Sequence, residues 1–177
     1  MKITLPDGWH EVKISQFQEI AELPEDAYRD NTVLEILADT EGLENISVDS
    51  RIKCINQISW VFNPPSENEY KRVISIDGVD FFLRNYRDLK IGERIDLKEY
   101  TKNGIKNLHK IAAILYKPEK EVKNAELLFQ EKVNVQDVYG SLVFFWNIAN
   151  RSTKIMQTYL MEEMSQKMKQ KKKKQSD

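Results

Sequence analysis

Residues 73–85 form an apolar run broken at its centre by Asp77-Gly78, and such a two-residue loop is the strongest short-range hairpin signal a sequence carries. It sets the register: Ile76 faces Val79, Ser75 faces Asp80, Ile74 faces Phe81 and Val73 faces Phe82. With a side-chain period of two, Ile74, Ile76, Val79 and Phe81 share one fully apolar face. The opposite face mixes Ser75, Asp80, Val73, Phe82, Lys71 and Arg84 and reads as a partly covered surface. Asp77 lies at the tip and Asp80 on the mixed side, so these carboxylates bend the chain and do not converge on a reacting atom.

Upstream, Lys2 to Leu5 reads as a short strand, Pro6-Asp7-Gly8 as a turn, and Trp9 to Ile14 as a second strand. Ser15 with Gln18 forms a capping box for a helix carrying Phe17, Ile20 and Leu23, which stops before Pro24. Val33, Leu34, Ile36 and Leu37 mark a second helix ending near Gly42. A third carries Ile52, Ile55, Ile58, Ser59 and Phe62, opened by Ser47 or Asp49 and closed by Asn63-Pro64-Pro65. After the hairpin, Asp88 to Leu97 is a charged helix. Asn107 to Pro118 follows as another, with Leu108, Ile111, Ala112 and Leu115 on one stripe and proline as its stop. Residues 119–134 hold a short helix around Ala125 to Phe129 and a connection.

Residues 135–169 contain no proline and keep Val138, Leu142, Phe145, Ile148, Ala149, Ile155, Met156, Tyr159, Leu160 and Met164 at helical spacing. This predicts one long helix, or two in tandem with a break near Asn150-Arg151-Ser152. A helix of about 35 residues runs about 50 Å, longer than a domain of this size is wide, so its far half is expected to project and meet a partner. Leu142 to Trp146 is apolar all round and needs cover on two sides. The expected fold is therefore α+β and mainly helical, with a small antiparallel hairpin sheet. A compact domain over 1–134 is followed by a long C-terminal helix over 135–170 and a basic tail over 171–177.

Composition keeps this picture within the globular class: 177 residues, 41% hydrophobic and 31% charged, suit one domain with an extension. No apolar run approaches the roughly 20 residues that span a bilayer, and the first residues lack a secretion-signal core, so the expectation is a protein made in a cytoplasm without a membrane partner. The net charge of −1 hides an asymmetry. Residues 167–177 hold six lysines against one aspartate, a local +5. Such a run is ordinarily a solvated end. Its functional reading is an electrostatic contact with phosphate or an acidic partner through Lys169, Lys171, Lys172, Lys173 and Lys174.

Candidate chemistry is sparse. The sequence has no phosphate-cradling glycine loop, HExxH, paired cysteines or serine elbow, and its two histidines, His10 and His109, lie far apart in the chain. Cys54, the single cysteine, sits within the third helix as a small packed side chain, and His109 flanks an apolar stripe as a boundary residue. Asp88, Glu93, Asp96 and Glu99 alternate with Arg87, Lys90, Arg94 and Lys98 and read as a charge-laced solvent face. No catalytic, cofactor-binding or metal residues are expected, and the chain reads as no enzyme.

The order of segments carries a resemblance. It runs from Ile3-Thr4-Leu5-Pro6-Asp7-Gly8-Trp9 through Val12-Lys13-Ile14-Ser15-Gln16-Phe17-Gln18-Glu19, then Ile76-Asp77-Gly78, Leu89 to Leu97, Leu108 to Pro118 and Phe144-Phe145. Over most of residues 1–160 this resembles small proteins of the structural gene blocks of tailed bacteriophages, as found in crAss-like and other Bacteroides-type phages. The resemblance implies a virion structural role in the head-to-tail connector or tail apparatus, or else a tail assembly chaperone. The implied partners are portal, tail or ring subunits and further copies of the chain in a ring, the implied location is the virion, assembled in the host cytoplasm, and no cofactor is implied. Leu142, Phe144, Phe145, Trp146, Ile155 and Tyr159 are the expected subunit interface. A nucleic-acid-binding accessory protein acting through the lysine run is the reading from a different class.

Overall fold

The computed structural model describes residues 3–26, 28–40, 43 and 46–148. The chain divides into two units, Met1–Val143 and Phe144–Asp177. In the first, the helices α1 (Ile14–Glu22), α2 (Arg29–Ala38) and α3 (Val48–Gln57) precede the hairpin β1 (Val73–Ile76) and β2 (Val79–Leu83). Then come α4 (Ile91–Tyr100), α5 (Leu108–Leu115), β3 (Tyr116–Pro118) and α6 (Ala125–Lys132). Residues 135–148 are helical, here called α7, up to where the described residues end. The fold is mainly helical α+β around one three-stranded antiparallel sheet, in the order β1-β2-β3.

The hairpin has the expected register, Val73 with Phe82 through to Ile76 with Val79. Asp77 and Gly78 hold φ of 52° and 77°, the paired positive angles of a turn whose twist matches that of the strands. Ile74, Ile76 and Phe81 are buried beneath it. Phe81 meets Phe129 of α6 edge-on at 5.2 Å, and Tyr116 lies 5.8 Å from the same ring. The α5 stripe of Leu108, Ile111, Ala112 and Leu115 is buried as well, where α5 packs on α6, α4 and α1.

Neither expected N-terminal strand forms among the described residues. Leu5, Trp9 and Val12 are buried at spacings of four and three, which is turn spacing, and Ile14, buried as well, is already the first residue of the helix that follows. Glu11 N–H bonds Gly8 O at 3.1 Å and Val12 N–H bonds Trp9 O at 3.4 Å, while Lys13 makes only an isolated bridge to Asn134. Trp9 anchors the turn, its Nε1 donating to Asn63 O at 2.7 Å and its ring meeting Phe17 and Trp60 edge-on.

The capping box lies two residues earlier than the expected Ser15 and Gln18. Helix α1 begins at Ile14, and it is Gln16 that folds back, its Oε1 accepting the Lys13 N–H at 3.1 Å, while Gln18 turns inward. Helix α2 ends at Asp39 in a left-handed conformation, before Gly42. Ser47 caps α3 by accepting Ser50 N–H, but α3 stops at Gln57 and gives way to a tighter 3-10 turn at Ser59–Phe62. The stretch expected as one helix to Pro118 splits, because Tyr116 leaves α5 extended and pairs with Leu83 as β3. The residue before a proline disfavours helix, so Lys117 already belongs to a strand. Helix α6 runs on to Lys132, past the expected Phe129. Residues 149–170, where the far half of a long C-terminal helix was expected, lie outside the described residues.

Candidate interaction surface

Glu93, in the first turn of α4, is more than part of a solvated stripe. Its Oε1 meets Arg84 Nη2 at 2.9 Å and Lys117 Nζ at 3.8 Å, and its Oε2 accepts Lys90 N–H at 2.9 Å. Arg84 Nη2 also donates to Ile114 O at 2.7 Å. Burial pushes the Glu93 carboxyl up, but the Arg84 bond, the Lys90 N–H and the charges of Arg84 and Lys117 outweigh it and hold the group below the ordinary glutamate value. One carboxylate thereby ties α4 to the end of β2 and to β3. The other three acids of that run, Asp88, Asp96 and Glu99, face solvent as expected.

This brace fixes the side of α4 that faces out. Ile91 and Ile95, one helical turn apart, are 79% and 63% exposed, an apolar pair held at the surface. Val48 and Ile52 of α3 and Phe62 after it are exposed as well, and α3 buries no residue. Of the interface residues expected from the sequence, Leu142 and Phe145 are buried in this structure. Phe144 and Trp146 are 54% and 40% exposed, with Phe144 meeting Phe145 edge-on at 5.6 Å. Ile155, Tyr159 and the lysines at 169 and 171–174 lie outside the described residues. The exposed groups on α3 and α4 were not expected, because in sequence each looks like half of a core stripe; only the packing shows that they stay uncovered.

Gln18 is a second residue that sequence spacing misplaced. It is buried on α1, and its amide nitrogen lies 2.8 Å from Ile105 O, 2.7 Å from Lys106 O and 3.0 Å from His109 Nδ1. Its Oε1 accepts from Gln130 Nε2 of α6 at 3.3 Å. An amide nitrogen only donates, so His109 Nδ1 accepts and carries no proton. Burial first, then the charge of Lys110, pushes His109 below the ordinary histidine value, against a smaller opposing pull from Glu126. The node fastens α1, α5 and α6 together.

At the sheet's inner face, Tyr116 donates to Lys71 O at 2.7 Å with Ser141 Oγ at 3.1 Å. Burial pushes its hydroxyl up to about 12, so it stays a proton donor in a structural bond. Asp7, His10 and Glu11 bring metal-ligand atoms within 4.8 Å of one another on the exposed N-terminal turn. They are engaged locally, His10 Nε2 with Asp7 at 3.0 Å and Glu11 with the Asp7 N–H at 3.0 Å. An open cleft of about 750 Å³ between α1 and α2 is lined by Gln16, Glu19, Glu35 and Asp39 among others, and Cys54 is a partly buried free thiol. Among the described residues no nucleophile, base and orienting group come together.

No family model, curated protein or solved structure matches this chain. Among the described residues, no helix is long and apolar enough to cross a membrane.

Proposed function

We propose that this chain is a non-enzymatic structural subunit of a tailed-bacteriophage particle, in the head-to-tail connector or tail apparatus, and that it works by packing against neighbouring subunits. The observation that carries the packing half is the pair Ile91 and Ile95, held outward on a helix whose opposite side is pinned by the Glu93 ion pairs. An isoleucine pair at such exposure is stable in a particle where a neighbour covers it. Phe144 and Trp146 add a second apolar site on the late helix. The phage half is supported by the order of short segments from Ile3 to Phe145, and the partners it brings are portal, tail or ring subunits and further copies of this chain.

The test is mass spectrometry of purified particles. The chain is expected there at a copy number set by ring symmetry. Its absence from finished particles, with presence on assembly intermediates, would replace this reading by the transient tail assembly chaperone.

A further inference from the structure

The three-stranded sheet has two edges, and they differ in what they offer. On the β3 side, Arg84 N–H bonds Leu115 O at 2.9 Å, which by alternation makes Phe82 and Lys117 the next bonded pair and turns the backbone of Tyr116 and Pro118 outward. Tyr116 N–H is already held by Ala112 O, and proline has none. That edge presents no donor.

The β1 side is open. Leu83 N–H bonds Arg72 O at 2.8 Å, so the same alternation gives Ile74 and Ile76 to β2 and turns both N–H and C=O of Val73 and Ser75 outward. Among the described residues, neither backbone has a partner. The next outward residue, Lys71, donates to Asp137 O at 2.8 Å, so cover ends where the strand begins. Folded proteins guard open edges with lysine, proline or a bulge. Lys117 and Pro118 guard β3, whereas Val73–Ile76 has no charge, no proline and a regular register. Beside this edge Val73 and Phe82 form an exposed apolar pair, at 42% and 40%.

We propose that the β1 edge is a contact between two copies of this chain, their β1 strands pairing antiparallel about a twofold axis at Ile74. The occupant follows from the edge itself. Its two outward residues lie two positions apart, so a twofold sets Val73 opposite Ser75 of the second copy and Ser75 opposite its Val73, each pair exchanging two hydrogen bonds. Ile74 then faces its own counterpart. On the outer face the row reads Lys117, Phe82, Val73, then Ser75 and Asp80 of the second copy, which covers the apolar pair and opposes no like charges. The contact is small and therefore weak in free solution, and it gains from the local concentration that any larger assembly supplies. This pairing does not rest on the phage reading.

The test is sedimentation of the full chain across a concentration series, with amide exchange followed by NMR. A concentration-dependent dimer is expected, in which the Val73 and Ser75 amides exchange at least about tenfold more slowly at high concentration while those of Ile74 and Ile76 are protected throughout. Ser75→Pro removes an outward N–H and no backbone bond to β2, losing besides only the exposed side-chain bond from Ser75 Oγ to Asp80, and Val73→Lys places a charge on an exposed position. Either variant is expected to keep the near-UV circular dichroism of the fold and weaken the dimer about tenfold or more. Trp146→Asp is expected to leave the edge protection intact. A chain monomeric at the highest concentration, a dimer with unchanged Val73 and Ser75 exchange, or a dimer surviving Val73→Lys would overturn the proposal.

Discussion

At the scale of single residues, the most consequential bond is one between neutral groups. Gln18 presents N–H to His109 Nδ1, so a proton arriving there would set donor against donor, and burial already opposes the charge. In the unfolded chain the same histidine titrates near its ordinary value. Above a pH of about 6.5 both states carry it neutral and it adds no pH dependence. As pH falls below that value, the unfolded state takes up the proton first and the folded state loses stability, down through the lowered folded value. Urea midpoints between pH 8 and 5 should therefore drop on the acid side, by at most about 1.4 kcal/mol per pH unit from this one group. His109→Gln should flatten that part of the curve; a variant with the same slope as the parent would contradict the assignment. The sequence places His109 beside the apolar stripe of its helix, and there it is half-buried. Its partner was out of reach, because Gln18 and His109 lie 91 positions apart.

At the scale of elements, α7 is held by close approach. A methyl group at Gly140 would sit 2.5 Å from Glu67 O and 2.7 Å from Glu69 O, and Gln136 exchanges hydrogen bonds of 3.0 Å with both backbone groups of Ser66. The helix therefore lies directly on the segment leading into β1. Gly140→Ala is expected to lower stability by roughly 1 to 3 kcal/mol through overpacking against backbone that cannot retreat. Gly92→Ala, in α4 with nothing within 4 Å of the added carbon, should raise stability by up to about 1 kcal/mol. Chemical unfolding of the two variants separates these outcomes, and equal effects would argue against the close approach. The hairpin was legible to the residue, since Asp77-Gly78 and strict alternation are local signals. Strand β3 was not: Tyr116 to Pro118 continues an apolar helical stripe in sequence, and only a neighbouring β2 edge makes the extended form pay.

At the scale of the whole molecule, charge and apolar surface are unevenly distributed. The six lysines between 167 and 177 set a local +5 against a remainder of −6. If these lysines contact phosphate, deleting 167–177 should remove a salt-dependent affinity for duplex DNA, visible as a loss of the gel shift at low ionic strength. An unchanged shift would assign them to solvent or to an acidic protein. The apolar surface has a different origin. Ile91, Ile95, Val48 and Ile52 occupy positions that in sequence belong to ordinary amphipathic helices, and the fold leaves them outside.

The amino-acid sequence by itself determined the class of the fold, the hairpin and its register, the stripe of α5 and the approximate course of the other helices, because each depends on side-chain period and turn chemistry within a few residues. Tertiary structure decided which stripes are covered, that Glu93 rather than its three acidic neighbours is a tie point, that Gln18 is a buried node, and that one edge of the sheet is closed by Tyr116 and Pro118 while the other is open. These depend on groups far apart in the chain meeting in space, and burial and backbone pairing across such separations leave no periodic trace in the sequence.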